Sequence, residues 1–146
     1  MAVDIETQIV IECPRAEVAA YAAEPGNATE WYEHIKAVDW KTVPPLAVGS
    51  QICFAAYFLG KRVEYVYEVT ELEPATRFVM RTAKGPYPME TTYRWQDEPG
   101  GGTRMFLRNR GEPHGLPRFT LLFLRGAMRR ANRKDLRRLK ALLEAR

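Results

Sequence analysis

Residues 3–27 read VDIETQIVIECPRAEVAAYAAEPGN, and the change of pattern within this stretch determines the predicted fold. From residue 3 to residue 12 apolar and polar side chains alternate, which indicates an antiparallel strand with one face in water. Pro14 then precedes the alanine-rich stretch 15–23, and a proline is tolerated there because the first N–H groups of a helix have no intrahelical acceptor. The stretch therefore predicts a strand followed directly by a short helix.

The chain between residues 25 and 117 consists of turn residues and strand patterns. Residues 25–27, Pro-Gly-Asn, end the first helix and precede a second short helix over 28–33, for which Asn27 is the expected N-cap. Strand patterns then predict six further strands, separated by Pro and Gly turns, of which the second is apolar on both faces. They cover residues 37–43, 51–59, 62–72, 77–82, 89–96 and 104–110.

The last segment, residues 118–146, predicts one long helix because it contains no proline and a single glycine. This helix is the only element large enough to cover the apolar face of the sheet. We therefore predict an α+β, helix-grip fold in one domain over 1–146, with a curved antiparallel sheet of about seven strands wrapped on the C-terminal helix and a cavity between them. Apolar spacing predicts that the helix packs through Phe119, Leu122, Phe123, Gly126, Arg130, Leu136, Leu139 and Leu143.

Composition excludes several classes of protein. The chain has 146 residues, of which 46% are hydrophobic and 27% charged, so it can bury a core. Two cysteines are too few for a disulfide scaffold or a Cys-rich zinc module. No apolar run reaches the roughly 18 residues of a membrane span. The acidic, alternating N-terminus does not look like a signal peptide, so we expect a cytoplasmic protein.

Three stretches resemble the Bet v 1-like proteins of the START/polyketide-cyclase superfamily (SRPBCC): the opening through VDW at residues 38–40, VGSQICF at 48–54, and YEVTELEPATRFVMRT at 67–82. The resemblance covers essentially the whole chain and implies the helix-grip fold. It does not imply one function, because the superfamily includes lipid carriers, aromatase/cyclases, hormone receptors and chaperone activators. The matching residues are Pro14, Glu24, Pro25, Trp31, Val48, Gly49, Ser50, Val69, Glu71, Glu73, Pro74 and Arg77.

Aromatic residues on the inward faces predict an amphipathic ligand pocket. Tyrosine hydroxyls in such a wall can orient a ligand carbonyl, whereas plain core packing is the alternative reading of the same residues. The resemblance adds that cyclases of the superfamily hold a polyketone with pocket hydroxyls and a charged group. The expected ligand-binding residues are Trp31, Tyr65, Tyr67, Met80, Tyr93, Trp95, Phe119 and Phe123.

The two histidines are the candidate catalytic residues. His34 follows the second short helix and His114 precedes the long one, so each is expected near an end of the cavity, where it can act as a general base. The alternative is that both are exposed loop residues. Their spacing matches no metal motif, and the sequence predicts neither a metal nor a cofactor.

Charge is unevenly distributed along the chain. The net charge is +4, but residues 118–146 alone contain ten Lys/Arg against two Asp/Glu. A solvated outer face that balances the acidic sheet is the simpler interpretation of this basic helix, and attraction to an anionic membrane is the alternative. No aromatic residues lie among the charges, so nucleic acid is not an expected partner. The apolar start of the helix suggests a lid, a membrane contact or a homodimer surface, and the membrane contact is expected to involve Arg125, Arg129, Arg133 and Arg137.

Three functions are compatible with these patterns. The first is a binding protein for a small hydrophobic ligand, such as a lipid, an isoprenoid quinone or a polyketide-like aromatic. The second is a cyclase/dehydratase-type enzyme that uses a cavity histidine with tyrosines. The third is a protein-interaction module whose cavity is filled by its own aromatic side chains. The sequence favours the first, because no catalytic constellation is recognisable in it.

Overall fold

A computed structural model describes residues 3–58, 60–85, 87–113 and 115–146, and the elements follow one another in the predicted order. They are β1 (Val3–Ile11), α1 (Arg15–Ala23), a 3-10 turn (Pro25–Asn27), α2 (Ala28–Trp31), β2 (Ile35–Trp40), β3 (Gln51–Phe58), β4 (Lys61–Glu73), β5 (Arg77–Lys84), β6 (Met89–Asp97), β7 (Thr103–Gly111) and α3 (Arg118–Glu144).

The strands form one antiparallel sheet in the order β1-β7-β6-β5-β4-β3-β2. β1 and β2 are consecutive in the chain but lie at opposite edges of the sheet, and the connection between them contains α1 and α2. The long helix α3 packs mainly along β1. This arrangement confirms the predicted α+β helix-grip fold.

Three boundaries in the segment between α1 and β3 differ from the prediction. β2 begins at Ile35 rather than at residue 37, because a bulge between Ile35 and Ala37 lets the pairing with β3 start earlier, and it ends at Trp40 rather than at residue 43. α2 ends at Trp31, before the predicted residue 33. Asn27 precedes α2 but its side chain makes no capping hydrogen bond, and its Nδ2 donates to the Tyr21 carbonyl at 3.1 Å.

The core lies between the inner face of the sheet and the helices. Alternation brings one face of each strand inward, and Ile5 of β1, Val69 of β4 and Leu107 of β7 are fully buried there. Trp31 at the end of α2 is also fully buried and packs against the Tyr93 ring, with 5.7 Å between ring centroids. Buried aromatic pairs of this kind add to the apolar area that drives folding.

The predicted packing face of α3 is wrong in the first half of the helix. Phe119 and Phe123 are 84% and 71% exposed, whereas Leu121 is buried. At about 100° per residue, positions 119, 123, 126 and 130 lie on the side of the helix opposite 121, 128, 132 and 139. The buried side consists of Leu121, Asn132, Asp135, Leu136, Leu139 and Leu143. None of the described helices combines the length and the apolar character that a bilayer span requires.

Candidate functional site

A cavity of about 200 Å³ lies between the inner face of the sheet and α3. Aromatic and aliphatic side chains form most of its wall, and polar groups from α3 and the segment after α2 interrupt it. The lining residues are Tyr32, His34, Ile35, Phe54, Ala56, Tyr65, Tyr67, Met80, Thr91, Tyr93, Asn109, Ala131, Asn132 and Asp135.

Two tyrosine hydroxyls meet in this wall. The Tyr32 and Tyr93 hydroxyl oxygens are 2.5 Å apart, and one hydroxyl donates to the other. Burial raises the pKa of both phenols above the usual value, so both stay protonated at neutral pH. Because one hydroxyl only accepts within the pair, its own hydrogen is available to a ligand oxygen.

Asp135 of α3 adds a carboxyl group to the wall. The residue is 5% exposed, and its Oδ1 accepts a hydrogen bond from the Glu33 backbone N–H at 3.1 Å. Burial raises the pKa of this carboxyl to about 6, although that hydrogen bond and the nearby His34 act in the opposite direction. A carboxyl group with this pKa can give or take a proton close to neutral pH.

Asn132 lies one helical turn before Asp135 on the same side of α3. Its Nδ2 is buried and has no hydrogen-bond partner among the described residues. A buried donor without an acceptor costs about 1–3 kcal/mol, which a bound oxygen atom would recover. The amide therefore provides an unused donor at the cavity wall.

The sheet side of the cavity has its own polar pair. The Thr91 hydroxyl donates to Asn109 Oδ1 at 2.8 Å, and both residues are buried. Burial raises the pKa of Tyr67, which lines the same wall, to about 12. The Thr91 and Asn109 side chains partner one another, whereas the Asn132 Nδ2 is a buried nitrogen of the cavity lining with no partner among the residues that the structure describes.

Of the two predicted catalytic histidines, His34 lines the cavity. Its side chain is 44% exposed, and its Nε2 is 4.0 Å from Glu33 Oε2, which places it at the rim. His114 lies outside the described residues, and its role stays a prediction.

The predicted ligand-binding residues fall into three groups. Tyr65, Tyr67, Met80 and Tyr93 line the cavity as expected. Two tryptophans are buried in the core behind the wall, and two phenylalanines lie on the outward side of α3, because the helix packs through its other side. These four residues, which are absent from the cavity lining, are Trp31, Trp95, Phe119 and Phe123.

Sequence reasoning missed Tyr32, Asn132 and Asp135. The last two occupy positions of α3 that continue the buried series of Leu136 and Leu139, so polar residues interrupt an apolar helix face. This polar interruption of an apolar helix face is the sequence feature from which Asn132 and Asp135 could have been predicted. It was not recognised because the prediction placed a different side of the first half of α3 against the sheet. Tyr32 gave no periodic signal, because it follows the end of a single-turn helix.

Neither cysteine belongs to the cavity wall. Cys13 Sγ donates to the Leu143 carbonyl, and Cys53 Sγ donates to a Glu64 carboxylate oxygen. Burial raises the pKa of both thiols. Within the described parts of the chain, no group of three His, Cys, Asp or Glu side chains is arranged to hold a metal ion.

A family model described as polyketide cyclase/dehydrase and lipid transport matches residues 2–144. No curated protein sequence matches the chain. Among solved structures, the Zhui aromatase/cyclase from a Streptomyces strain superimposes with a TM-score of 0.83 at 13% identity, over 99% of this chain and 94% of that one.

Two further solved structures are similar over nearly their whole length. The Thermus thermophilus protein TTHA0849 has a TM-score of 0.80 and 20% identity, with 97% of each chain covered. A START superfamily protein from Mycobacterium smegmatis has a TM-score of 0.79 and 12% identity, with 95% of this chain and 98% of that one covered. At such identities the likeness shows the shared fold alone.

Proposed function

Because the chain belongs to the polyketide cyclase/dehydrase and lipid transport family, we propose that it binds a compact hydrophobic ligand carrying an oxygen acceptor. The ligand would occupy the cavity between the sheet and α3. The observation that carries the proposal is the buried Asn132 amide, whose Nδ2 has no partner among the described residues.

The size of the cavity favours a small ligand. Small-molecule sites usually measure about 300–1,000 Å³, and this cavity measures about 200 Å³. A molecule of one or two fused rings fits this volume better than a long acyl chain does. Among the ligand classes expected from the sequence, a polyketide-like aromatic or a quinone head group is therefore preferred to a lipid.

The distribution of polar groups gives the ligand an orientation. Phe54, Ile35 and Met80 provide apolar contacts for the rings. Donors come from Asn132 and from the hydroxyl pair of Tyr32 and Tyr93. The oxygen of the ligand would therefore point towards α3, with its rings against the sheet.

A matched pair of probes tests this proposal. α-Tetralone is a two-ring aromatic ketone, and tetralin is the corresponding hydrocarbon. Equilibrium dialysis should show that α-tetralone binds more tightly, by about fivefold if one net hydrogen bond of about 1 kcal/mol is gained. Asn132→Leu should remove this preference, while Gln96→Leu, which removes an amide from an exposed position, should keep it.

Equal binding of the two probes by the parent protein, or an unchanged preference in Asn132→Leu, would contradict the proposed recognition. Failure of both probes to bind would reject a ligand-binding cavity of this size. That result would favour a module that binds a protein partner instead.

A second function is favoured by Asp135. A buried carboxyl with a pKa of about 6 can protonate a leaving hydroxyl group, and His34 at the rim can accept a proton from carbon. These are the two proton transfers of a dehydration, in which water leaves and a carbon–carbon double bond forms. The chain would then be a cyclase/dehydratase-type enzyme, with Asp135 in the acid role.

The aldol of benzaldehyde with acetone tests this activity, because its dehydration to benzylideneacetone is followed by absorbance. If the enzyme reading is correct, the rate should fall as Asp135 loses its proton, with an apparent pKa near 6. Asp135→Asn should remove that limb of the pH profile. A rate equal to that of buffer would reject the dehydratase reading for this substrate and leave the binding proposal in place.

A further inference from the structure

Three apolar side chains project from the first half of α3 on the side away from the cavity. Phe119 is 84% exposed, Leu122 is 56% exposed and Phe123 is 71% exposed. We call these three residues the apolar tip. Large apolar side chains that are grouped and exposed are typical of a surface that contacts a partner or a membrane.

A basic surface continues from the apolar tip along the same side of α3. Arg129, Arg130, Arg133 and Arg137 are defined here as the basic face. Their positions lie within the same half of the helix circumference as the apolar tip. None of these four side chains forms an ion pair with a residue in the described part of the chain, and residues 118–134 contain no Asp or Glu.

Other cations of the helix are engaged with the body of the protein. Lys134 pairs with Glu33 at 3.2 Å, and the guanidinium of Arg138 donates to the Glu30 carbonyl. Arg125 lies on the side of the helix facing β1, where its charge helps to lower the pKa of Asp4. The cations that lie on the same side of the helix as the apolar tip and remain available to a partner are therefore those of the basic face, and Arg125 is not among them.

We propose that the outward side of α3 docks on an anionic lipid bilayer, with the apolar tip inserted at the boundary between the head groups and the acyl chains. The combination of exposed aromatic residues with unpaired cations on one helix side is that of an interfacial amphipathic helix. Anionic lipid head groups complement the basic face, and the acyl region accepts Phe119, Leu122 and Phe123.

The charge pattern argues against two other occupants. A symmetric dimer through this side could cover the apolar tip, but residues 118–134 of the second copy would offer the basic face no Asp or Glu to pair with. A nucleic acid would satisfy the cations but would leave the apolar tip without an apolar environment. A bilayer satisfies both parts of the surface at once.

Vesicle sedimentation tests the proposal with the full chain. Vesicles of phosphatidylcholine mixed with phosphatidylglycerol should bind the protein, and binding should weaken as salt is added. Vesicles of phosphatidylcholine alone should bind it far less. A Phe123→Trp variant should show indole fluorescence that brominated acyl chains quench, which reports insertion rather than surface attachment.

Paired variants separate the two parts of the surface. Arg129→Gln with Arg133→Gln should lower the partition coefficient by at least tenfold, since each basic residue near the bilayer contributes about fivefold. Arg77→Gln with Arg81→Gln changes the net charge equally but alters exposed arginines of β5, and it should have a much smaller effect. The apolar-tip variant Phe119→Ser with Leu122→Ser, made in the Phe123→Trp background, should abolish quenching by the brominated acyl chains. Val43→Ser with Val48→Ser in the same background alters two other exposed apolar positions and should not change the quenching.

The altered side chains lie at the surface, exposed or half-buried, and the ion pairs of Arg77 and Arg81 are surface pairs of small energetic value. Thermal unfolding should therefore be nearly the same in all these variants, which separates docking from folding. Absence of vesicle binding, or binding that the apolar-tip variant leaves unchanged, would overturn the proposal. So would a dimer seen by light scattering that the apolar-tip variant dissociates, because a second copy would then be the occupant.

Discussion

Asp135 makes the stability of the fold depend on pH in a direction opposite to that of most carboxylates. Its pKa is raised from 3.8 to about 6, so the folded chain binds this proton more tightly than the unfolded chain does. The contribution of Asp135 to stability is therefore greatest below pH 4 and declines as the pH rises from about 4 to about 6. At neutral pH the buried charge destabilises the fold.

The change that Asp135→Asn makes to the free energy of unfolding should therefore be more favourable at neutral pH than at acidic pH. Asparagine keeps the oxygen that accepts from the Glu33 N–H but carries no charge. A shift of about two pKa units corresponds to roughly 2–3 kcal/mol between the two conditions. Urea unfolding of the parent protein and of Asp135→Asn at about pH 4 and pH 7 measures this difference, and Asp97→Asn at an exposed position is the control. If Asp135→Asn changes the free energy of unfolding equally at both pH values, Asp135 titrates normally.

The hydroxyl pair of Tyr32 and Tyr93 should show strong coupling in unfolding experiments. Tyr32→Phe or Tyr93→Phe leaves the other buried hydroxyl without its partner, at a cost of about 1–3 kcal/mol. The double variant removes both hydroxyls and should lose less stability than the sum of the two single variants. A double-mutant cycle by urea unfolding measures the coupling, and strict additivity would show that the two hydroxyls do not interact.

At the scale of elements, the packing side of α3 makes a direct prediction. Leu139→Ala should destabilise the fold by about 2–5 kcal/mol, because Leu139 is fully buried and its truncation leaves a cavity. Leu122→Ala makes the same chemical change at a position that is 56% exposed, and it should change stability by less than about 0.5 kcal/mol. Chemical denaturation compares the two, and similar losses would mean that the helix packs through both sides.

The strands were predictable because successive side chains of a strand point to opposite faces of the sheet. Where one face is in water, apolar and polar residues therefore alternate in the sequence. Thr103 to Gly111 shows this alternation almost without interruption. Only local irregularities were lost, such as the bulge after Ile35, which has no sequence signal of its own. The neighbour relations followed from the short turns between successive strands.

The packing side of α3 was not predictable by the same reasoning. Its exposed residues Phe119 and Phe123 are more apolar than its buried Asn132 and Asp135. Apolar periodicity therefore selected the wrong side of the first half of the helix. The polar part of the candidate site was missed for the same reason, whereas Tyr65, Tyr67 and Met80 were found because strand alternation places them on the inner face.

At the scale of the whole molecule, α3 is attached to the sheet unequally along its length. Near its C-terminus, the Lys140 ammonium donates to the Val10 carbonyl at 2.7 Å, and Glu144 Oε2 accepts from the Glu12 N–H at 2.8 Å. Leu136, Leu139 and Leu143 are also buried there. In the first half of the helix, only Leu121 is buried among residues 118–131.

Hydrogen exchange should follow this gradient of attachment. Amides of residues 136–143 should exchange only in global unfolding, whereas amides of residues 122–126 should exchange faster through local opening, since local stability follows buried contacts. Lys140→Met removes the contact with the Val10 carbonyl and should accelerate exchange at the C-terminal end without altering residues 122–126. Exchange followed by mass spectrometry resolves the two segments. Uniform protection along α3 would show that the helix opens only as a unit.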